Sequence, residues 1–74
     1  MDIVQIRIRE LRIDNDLRQK DVADKCGMTQ RKVSFIEKGV TEPNLEDIRN
    51  LCKLFNVSAD YLFGLPHDLD YPEK

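Results

Sequence analysis

The sequence predicts an all-α fold, and two observations carry that prediction. Apolar residues recur at intervals of three and four along the chain, and no stretch alternates with the period of two that indicates a β-strand. Glycine, asparagine, serine and threonine stand where each apolar pattern stops or restarts, which is typical of helix ends and caps. With 74 residues, the chain is predicted to form one small domain that buries about 60% of the surface exposed by its unfolded state.

The first helix is predicted over residues 2–13. Its core stripe is Val4, Ile8 and Leu11, spaced at i, i+4 and i+7. The Asp-Asn-Asp run at 14–16 then predicts a turn, because these side chains bond readily to nearby backbone groups.

The second and third helices are predicted to cross closely at a tight turn. The second covers residues 18–25, and its inward side carries small and apolar residues, namely Val22, Ala23 and Cys26. Gly27 can adopt the left-handed conformation that ends a helix. Thr29 follows as an N-cap whose hydroxyl accepts a backbone N–H. The third helix covers residues 30–38, ends at Gly39, and turns two residues inward, Val33 and Ile36.

The fourth helix is predicted to begin after Asn44 and to run through Phe55. Asn44 is an N-cap, and Asp47 stands three residues on, as in a capping box. Asn56 can close the helix in the left-handed conformation. The residues expected to face inward are Leu45, Ile48, Leu51, Cys52 and Phe55.

A short fifth helix completes the predicted domain, which spans residues 1–64. Ser58 caps this helix and Gly64 breaks it, and the residues expected on the core are Leu62 with Tyr61 or Phe63. The segment 65–74 forms a C-terminal tail with two prolines and several charges. It is interpreted as a solvated terminus, with a partner-binding extension as the alternative.

Charge is distributed unevenly along the chain. The formal net charge is −2, which argues mildly against a nucleic-acid partner. Residues 1–39, however, hold nine Lys/Arg against seven Asp/Glu, whereas residues 40–74 hold three against seven. The more basic part therefore contains the third helix. No apolar run approaches the roughly 20 residues of a membrane span, so a cytoplasmic protein without a membrane partner is expected.

Candidate ligands for a metal and candidate catalytic groups are few. Cys26 and Cys52 both fall on apolar helix stripes, which predicts free, buried thiols in preference to a disulfide or a metal site. The single histidine, His67, lies in the tail and is expected to be solvated. Nothing pairs a nucleophile with a base, so the sequence predicts no enzyme, no cofactor and no metal.

The outward face of the third helix is the candidate functional surface. On a wheel of 100° per residue its members are Arg31, Ser34, Phe35 and Lys38, with Gln30 at the N-terminal edge. Two short helices crossing at a glycine turn are typical of a helix-turn-helix that reads DNA. Arg31 can bond guanine, Gln30 can bond adenine, and Phe35 can contact a thymine methyl, while Lys32 and Lys38 lie near phosphates. A plain solvated face is the alternative, but it leaves an exposed Phe35 unexplained.

The joint spacing of these residues resembles that of the phage-repressor and Cro-like (XRE) helix-turn-helix family over residues 4–64. The matching positions are RIRELR at 7–12, Leu17-x-Gln19-x3-Ala23-x3-Gly27-x-Thr29, Val33, Ile36-Glu37-x-Gly39, Pro43, Leu45 and VSADYLFG at 57–64.

The resemblance implies a compact five-helix, lambda-repressor-like domain that binds double-stranded operator DNA, commonly as a homodimer, with the third helix in the major groove. It implies a repressor-like transcriptional regulator. The positions it assigns to base edges are Gln30, Arg31, Ser34 and Phe35. The set expected at phosphates is Gln19, Thr29, Lys32 and Lys38. It also matches Arg12 and Glu37 to a pair that forms a salt bridge in some relatives.

Several positions depart from the family pattern. Arg18 stands at the second helix cap where Ser or Thr is favoured, and Val40 and Thr41 stand where basic residues are frequent. The change at Arg18 removes a capping hydroxyl, and the changes at Val40 and Thr41 reduce the charge available to phosphates. They keep open a protein-interaction or antitoxin-like module with weak or no DNA binding. Net acidity supports that alternative, as does a second apolar stripe on the first helix, Ile3, Ile6 and Ile13.

Overall fold

A computed structural model describes residues 3–66, and it consists of five α-helices. They are α1 (Ile3–Asp14), α2 (Gln19–Cys26), α3 (Gln30–Glu37), α4 (Leu45–Phe55) and α5 (Ala59–Phe63). The described residues contain no strand. The all-α prediction is therefore confirmed, and each helix lies within one residue of its predicted bounds.

The core collects the predicted apolar stripes of all five helices. Helix α3 packs on α2 and α1, α4 packs on α2 and α5, and α5 also packs on α1. Leu11 and Cys52 are half-buried against this core. The buried apolar residues are Val4, Ile8, Val22, Ala23, Cys26, Val33, Ile36, Ile48, Leu51, Phe55 and Leu62.

Left-handed residues end three of the helices, as the sequence predicts. Gly27 has φ 68° and its N–H donates to Ala23 O. Asn56 ends α4 with φ 55°, and Gly64 ends α5 with φ 68°. These caps occupy carbonyl groups at the helix ends that would otherwise lack hydrogen bonds.

Caps at the N-termini differ between α4 and α2. In α4, Asn44 Oδ1 accepts from Asp47 N at 2.8 Å and Asp47 Oδ2 accepts from Asn44 N at 3.0 Å, a complete capping box. In α2 the guanidinium of Arg18 has only donors and caps nothing. Asp21 Oδ2 instead accepts from Arg18 N at 2.8 Å. The hydrogen bond from the Arg18 side chain lowers the pKa of Asp21.

Two core predictions are wrong, namely that Leu45 faces inward and that Tyr61 or Phe63 joins Leu62 on the core. Leu45 is 79% exposed, because it is the first residue of α4 and lies at the edge of the domain. Tyr61 and Phe63 are 42% and 43% exposed, so Leu62 alone fills the core from α5. A helix of five residues has only one side to bury. The Tyr61 ring instead lies beneath the Arg7 guanidinium, whose carbon is 4.5 Å from the ring centroid.

The thiols of Cys26 and Cys52 are free, as predicted, but Cys26 is buried whereas Cys52 is only half-buried. Burial raises the pKa of both. Within residues 3–66, no three side chains of the His, Cys, Asp and Glu types cluster as metal ligands would. No helix in that range has the length and apolar character needed to cross a membrane. His67 and residues 68–74 lie outside the described range.

The Gly27 turn generates a stability prediction. A Cβ at Gly27 would meet no atom within 4 Å. A substitution there would therefore destabilise the fold through strain at the positive φ and not through a steric clash. We expect Gly27→Val to lower the free energy of unfolding by about 1–2 kcal/mol. Gly27→Asn is the matched control and should lose less, because Asn tolerates the left-handed conformation. Urea denaturation measures both, and equal losses would contradict the strain argument.

Candidate nucleic-acid interface

The candidate interface is built on α3, which α2 holds in place. Val33 and Ile36 of α3 are buried in the core, and this orientation leaves the opposite side of the helix toward solvent. Gln30, Arg31 and Lys38 are exposed on it. Thr29 Oγ1 accepts from Lys32 N at 3.1 Å, which confirms the predicted cap. The first turn of α3 still presents backbone N–H groups without helical partners.

Phe35 is half-buried, which corrects the prediction of an exposed aromatic ring. The Arg31 guanidinium carbon, Cζ, lies 5.1 Å from the Phe35 ring centroid. The two residues are one helical turn apart, so their side chains meet on the same face. At this distance the cation is attracted to the electron-rich ring face. We refer to these two side chains as the Arg31–Phe35 pair.

The cations on α3 and Lys38, which directly follows it, have different surroundings. Lys32 Nζ forms an ion pair at 2.8 Å with Oδ2 of Asp47, a buried carboxylate at the start of α4. Its ammonium group therefore joins α3 to α4 and is largely neutralised. Within residues 3–66, Arg31 and Lys38 have no carboxylate at ion-pair distance. Their positive charges are available to an anionic partner.

A buried polar network lies behind the N-terminus of α2. Arg12 donates from Nε to Glu37 Oε2 at 2.7 Å and from Nη2 to Glu37 Oε1 at 3.0 Å. Gln19 Nε2 donates to the same Oε1 at 3.3 Å. This confirms the predicted Arg12–Glu37 pair and adds Gln19 to it. The hydrogen bond with Glu37 raises the pKa of Arg12.

The network leaves Gln19 able to bind a further group. An amide nitrogen has two N–H donors, and Glu37 takes one of them. Gln19 is half-buried at the start of α2, where backbone N–H groups of the first turn also lack helical partners. The position therefore offers several N–H donors to an acceptor such as a phosphate oxygen.

The loop after α3 is joined to the Arg31–Phe35 pair through the backbone. Phe35 O accepts from Val40 N at 2.9 Å and from Thr41 N at 3.3 Å. Gly39 permits this reversal with φ 77°. Val40 is 67% exposed, so this loop presents an apolar side chain to solvent. The loop over residues 39–42 thus contributes no basic side chain to this surface.

Besides the Gln19–Glu37 hydrogen bond, two contacts of this surface were not predicted from the sequence. The Lys32–Asp47 ion pair joins residues on separate helices, and no local pattern indicates it. The Arg31–Phe35 contact did have a signal, because Arg and Phe are four residues apart on one helix face.

Comparisons with known proteins agree with this geometry. A family model described as Helix-turn-helix matches residues 8–62. The cryptic phage CTXphi transcriptional repressor RstR of Vibrio cholerae is 37% identical over 51 residues, which is 69% of this chain and 46% of that protein. The uncharacterized HTH-type transcriptional regulator YobD of Bacillus subtilis is 33% identical over 64 residues, 86% of this chain and 57% of that protein. The chain thus spans about half the length of these two relatives.

A solved structure is similar over most of the fold. The crystal structure of the P22 c2 repressor protein in complex with synthetic operator 9T matches with a TM-score of 0.79 and 32% identity. The match covers 85% of this chain and 96% of that one.

The Arg12–Glu37 pair generates a second stability prediction. Glu37 is 3% and Arg12 16% exposed, so Arg12→Ala would leave a buried carboxylate without its main partner. We expect a loss of about 3 kcal/mol in the free energy of unfolding. The double variant Arg12→Met, Glu37→Leu should recover most of it, because no unpaired charge remains.

The matched control is Arg18→Ala, which breaks an ion pair whose arginine side chain is 78% exposed. It should lose much less stability than Arg12→Ala. Urea denaturation of the four proteins checks this, and a double variant as unstable as Arg12→Ala would contradict the desolvation argument.

Proposed function

The chain belongs to the XRE-type helix-turn-helix family, and on that premise we propose that it is a sequence-specific, DNA-binding transcriptional regulator whose α3 enters the major groove. The observation that carries the proposal is the exposed face of α3. Arg31 and Lys38 have no carboxylate partner within residues 3–66, and the helix beneath them is held by a buried core. The similar P22 c2 repressor was solved with operator DNA. Regulation of this kind requires binding alone, and the proposal includes no catalytic step.

We assign base reading to the outward side of α3. Arg31 would donate two hydrogen bonds to guanine O6 and N7, and Gln30 would bond adenine N6 and N7. Phe35 would contact a thymine methyl, and the Ser34 hydroxyl would bond a neighbouring base edge. These four side chains lie within the first two turns of one helix, as major-groove reading requires.

We assign phosphate contacts to the ends of the helices. Gln19 would donate its second amide N–H, Thr29 its hydroxyl, and Lys38 its ammonium group. Lys32 would contribute less charge, because Asp47 already pairs with it. The contacts are therefore few, and we expect modest affinity with a shallow salt dependence.

We further propose that two copies bind one operator. A single small domain reads only a few base pairs, and two domains related by a two-fold axis read half-sites about 34 Å apart. The exposed stripe Ile3, Ile6 and Ile13 on α1 offers apolar surface for such a contact.

A protein-interaction module is the second candidate function. The exposed apolar residues Val40 and Leu45, together with the net charge of −2, favour it. Such a protein would bind a partner through the same face and would not bind a duplex even at low salt.

Selection from a random DNA pool tests the proposal. We expect an enriched duplex whose two half-sites form an inverted repeat. Its binding constant should fall with salt at a slope that corresponds to about three to five phosphates per subunit. Titration of the selected duplex at several salt concentrations measures the slope. No enrichment, or binding independent of salt, would contradict the DNA-binding function and favour the protein-interaction module.

Two cations of α3 should contribute differently to binding. Arg31→Ala should cost about 1–3 kcal/mol on the selected duplex and relax the preference at one base pair. Lys38→Ala should weaken binding to selected and random duplexes alike and reduce the salt slope by about one unit. Lys53→Ala is the control, since Lys53 is exposed near the C-terminus of α4. Equal weakening of both duplexes by Arg31→Ala would contradict base reading by Arg31.

A further inference from the structure

We propose that the Arg31–Phe35 pair acts as one reading unit for two neighbouring base pairs, a guanine beside a thymine, with the thymine C5-methyl against the Phe35 ring. This inference rests on the proposed DNA-binding function and deepens it. The two residues then specify a dinucleotide and not two independent bases.

The first step of the argument is the distance between the two side chains. A guanidinium that bonds guanine O6 and N7 lies close to the plane of that base. In this protein the guanidinium carbon lies over the Phe35 ring, with 5.1 Å between Cζ and the ring centroid. Arginine tends to stack its planar guanidinium on an aromatic face, so we place the ring outside the guanine plane, displaced along the DNA axis. Because consecutive bases are about 3.4 Å apart, a ring displaced by up to 5.1 Å extends beyond the guanine and reaches the adjacent base pair.

The second step is the restricted position of the ring. Phe35 is half-buried, and its carbonyl accepts hydrogen bonds from both Val40 N and Thr41 N. The backbone under the ring is thus held by the loop that follows α3. With the guanidinium on one face and protein behind, the ring presents a fixed apolar edge to the groove.

The third step is the chemistry of the base edges. A phenyl ring has no hydrogen-bonding group, so it cannot satisfy the N7 of a purine or the N4 amino group of cytosine. Covering those groups would remove their water without replacing the hydrogen bonds. The thymine C5-methyl is the apolar group of the major groove and gains from the same contact. 5-Methylcytosine carries an identical methyl and should be preferred over cytosine there.

Phe35 has a second effect, which is on Arg31 itself. An arginine side chain free in solvent loses rotamer entropy when it binds a base. Contact with the ring restricts Arg31 before binding and keeps its guanidinium on the outward face. Phe35 is in this respect a positioning residue, which leucine cannot replace because leucine lacks the electron-rich ring face.

The test uses the selected duplex with single-atom changes in the bases. 7-Deazaguanine, which lacks N7, first identifies the guanine that Arg31 binds, because its effect should vanish in Arg31→Ala. Deoxyuridine then replaces thymine in the adjacent base pairs and removes only the methyl. We expect wild type to lose about fourfold in affinity, the value of one buried methyl group. Deoxyuridine at a thymine outside these base pairs and away from α3 is the control and should change little.

Variants of Phe35 test whether the affinity lost on replacing thymine with deoxyuridine depends on the phenyl ring. Phe35→Ala should bind the thymine and deoxyuridine duplexes equally. Phe35→Leu retains an apolar contact and should retain part of the methyl preference, while the 7-deazaguanine effect becomes smaller. Thermal melts establish that each variant is folded, and Phe35→Leu carries the test if the alanine variant is not. 5-Methylcytosine in place of cytosine at the same position should strengthen binding by wild type.

The outcomes separate the inference from the proposed function. If wild type binds no selected duplex, the DNA-binding function is wrong and the inference is wrong with it. If wild type binds with the expected salt dependence but deoxyuridine beside the contacted guanine has no effect, the inference alone is overturned. A methyl effect that persists unchanged in folded Phe35→Ala, or one confined to base pairs away from that guanine, also overturns it.

Discussion

The ion pair between Arg12 and Glu37 holds α1 against the C-terminal end of α3, and the position of the candidate interface depends on it. A carboxylate at a helix C-terminus opposes the helix dipole, so Glu37 gains from the nearby guanidinium. Both Glu37 oxygens accept from Arg12, and Gln19 of α2 joins them. Three helices thus meet at one buried polar cluster, which orients α3 more sharply than apolar packing alone, because hydrogen bonds are directional.

The outward side of α3, which this cluster supports, has few unpaired basic side chains. Lys32 is paired with Asp47, and the loop after α3 carries Val40 where a cation would help to bind phosphate. Under the proposed function, non-specific attraction to DNA would be weak, and discrimination would come mostly from contacts to base edges. An arginine held by an aromatic ring suits that requirement, since restricting a side chain improves selectivity without adding charge.

Local signals explain which parts of the fold were predictable. The caps at Thr29, Asn44 and Gly27 depend on a few adjacent residues, and all three have the predicted conformation. The errors at Leu45 and Phe63 have a different origin. Both are apolar residues at helix ends, and whether such a residue is covered depends on neighbouring helices and not on its own periodicity.

The sequence by itself determined the five helices, their ends, the free thiols and the composition of the outward side of α3, because hydrophobic period and capping are properties of short segments. Only the tertiary structure decided how the side chains of that surface are partnered. It brings Gln19 into hydrogen-bond contact with Glu37, which is 18 residues away in the sequence. It also pairs Lys32 with Asp47, so the charge of Lys32 is no longer free to bind a phosphate. It also half-buries Phe35 beneath Arg31. A side chain with several rotamers takes the partner that the folded neighbours bring within reach, and a local pattern does not contain that information.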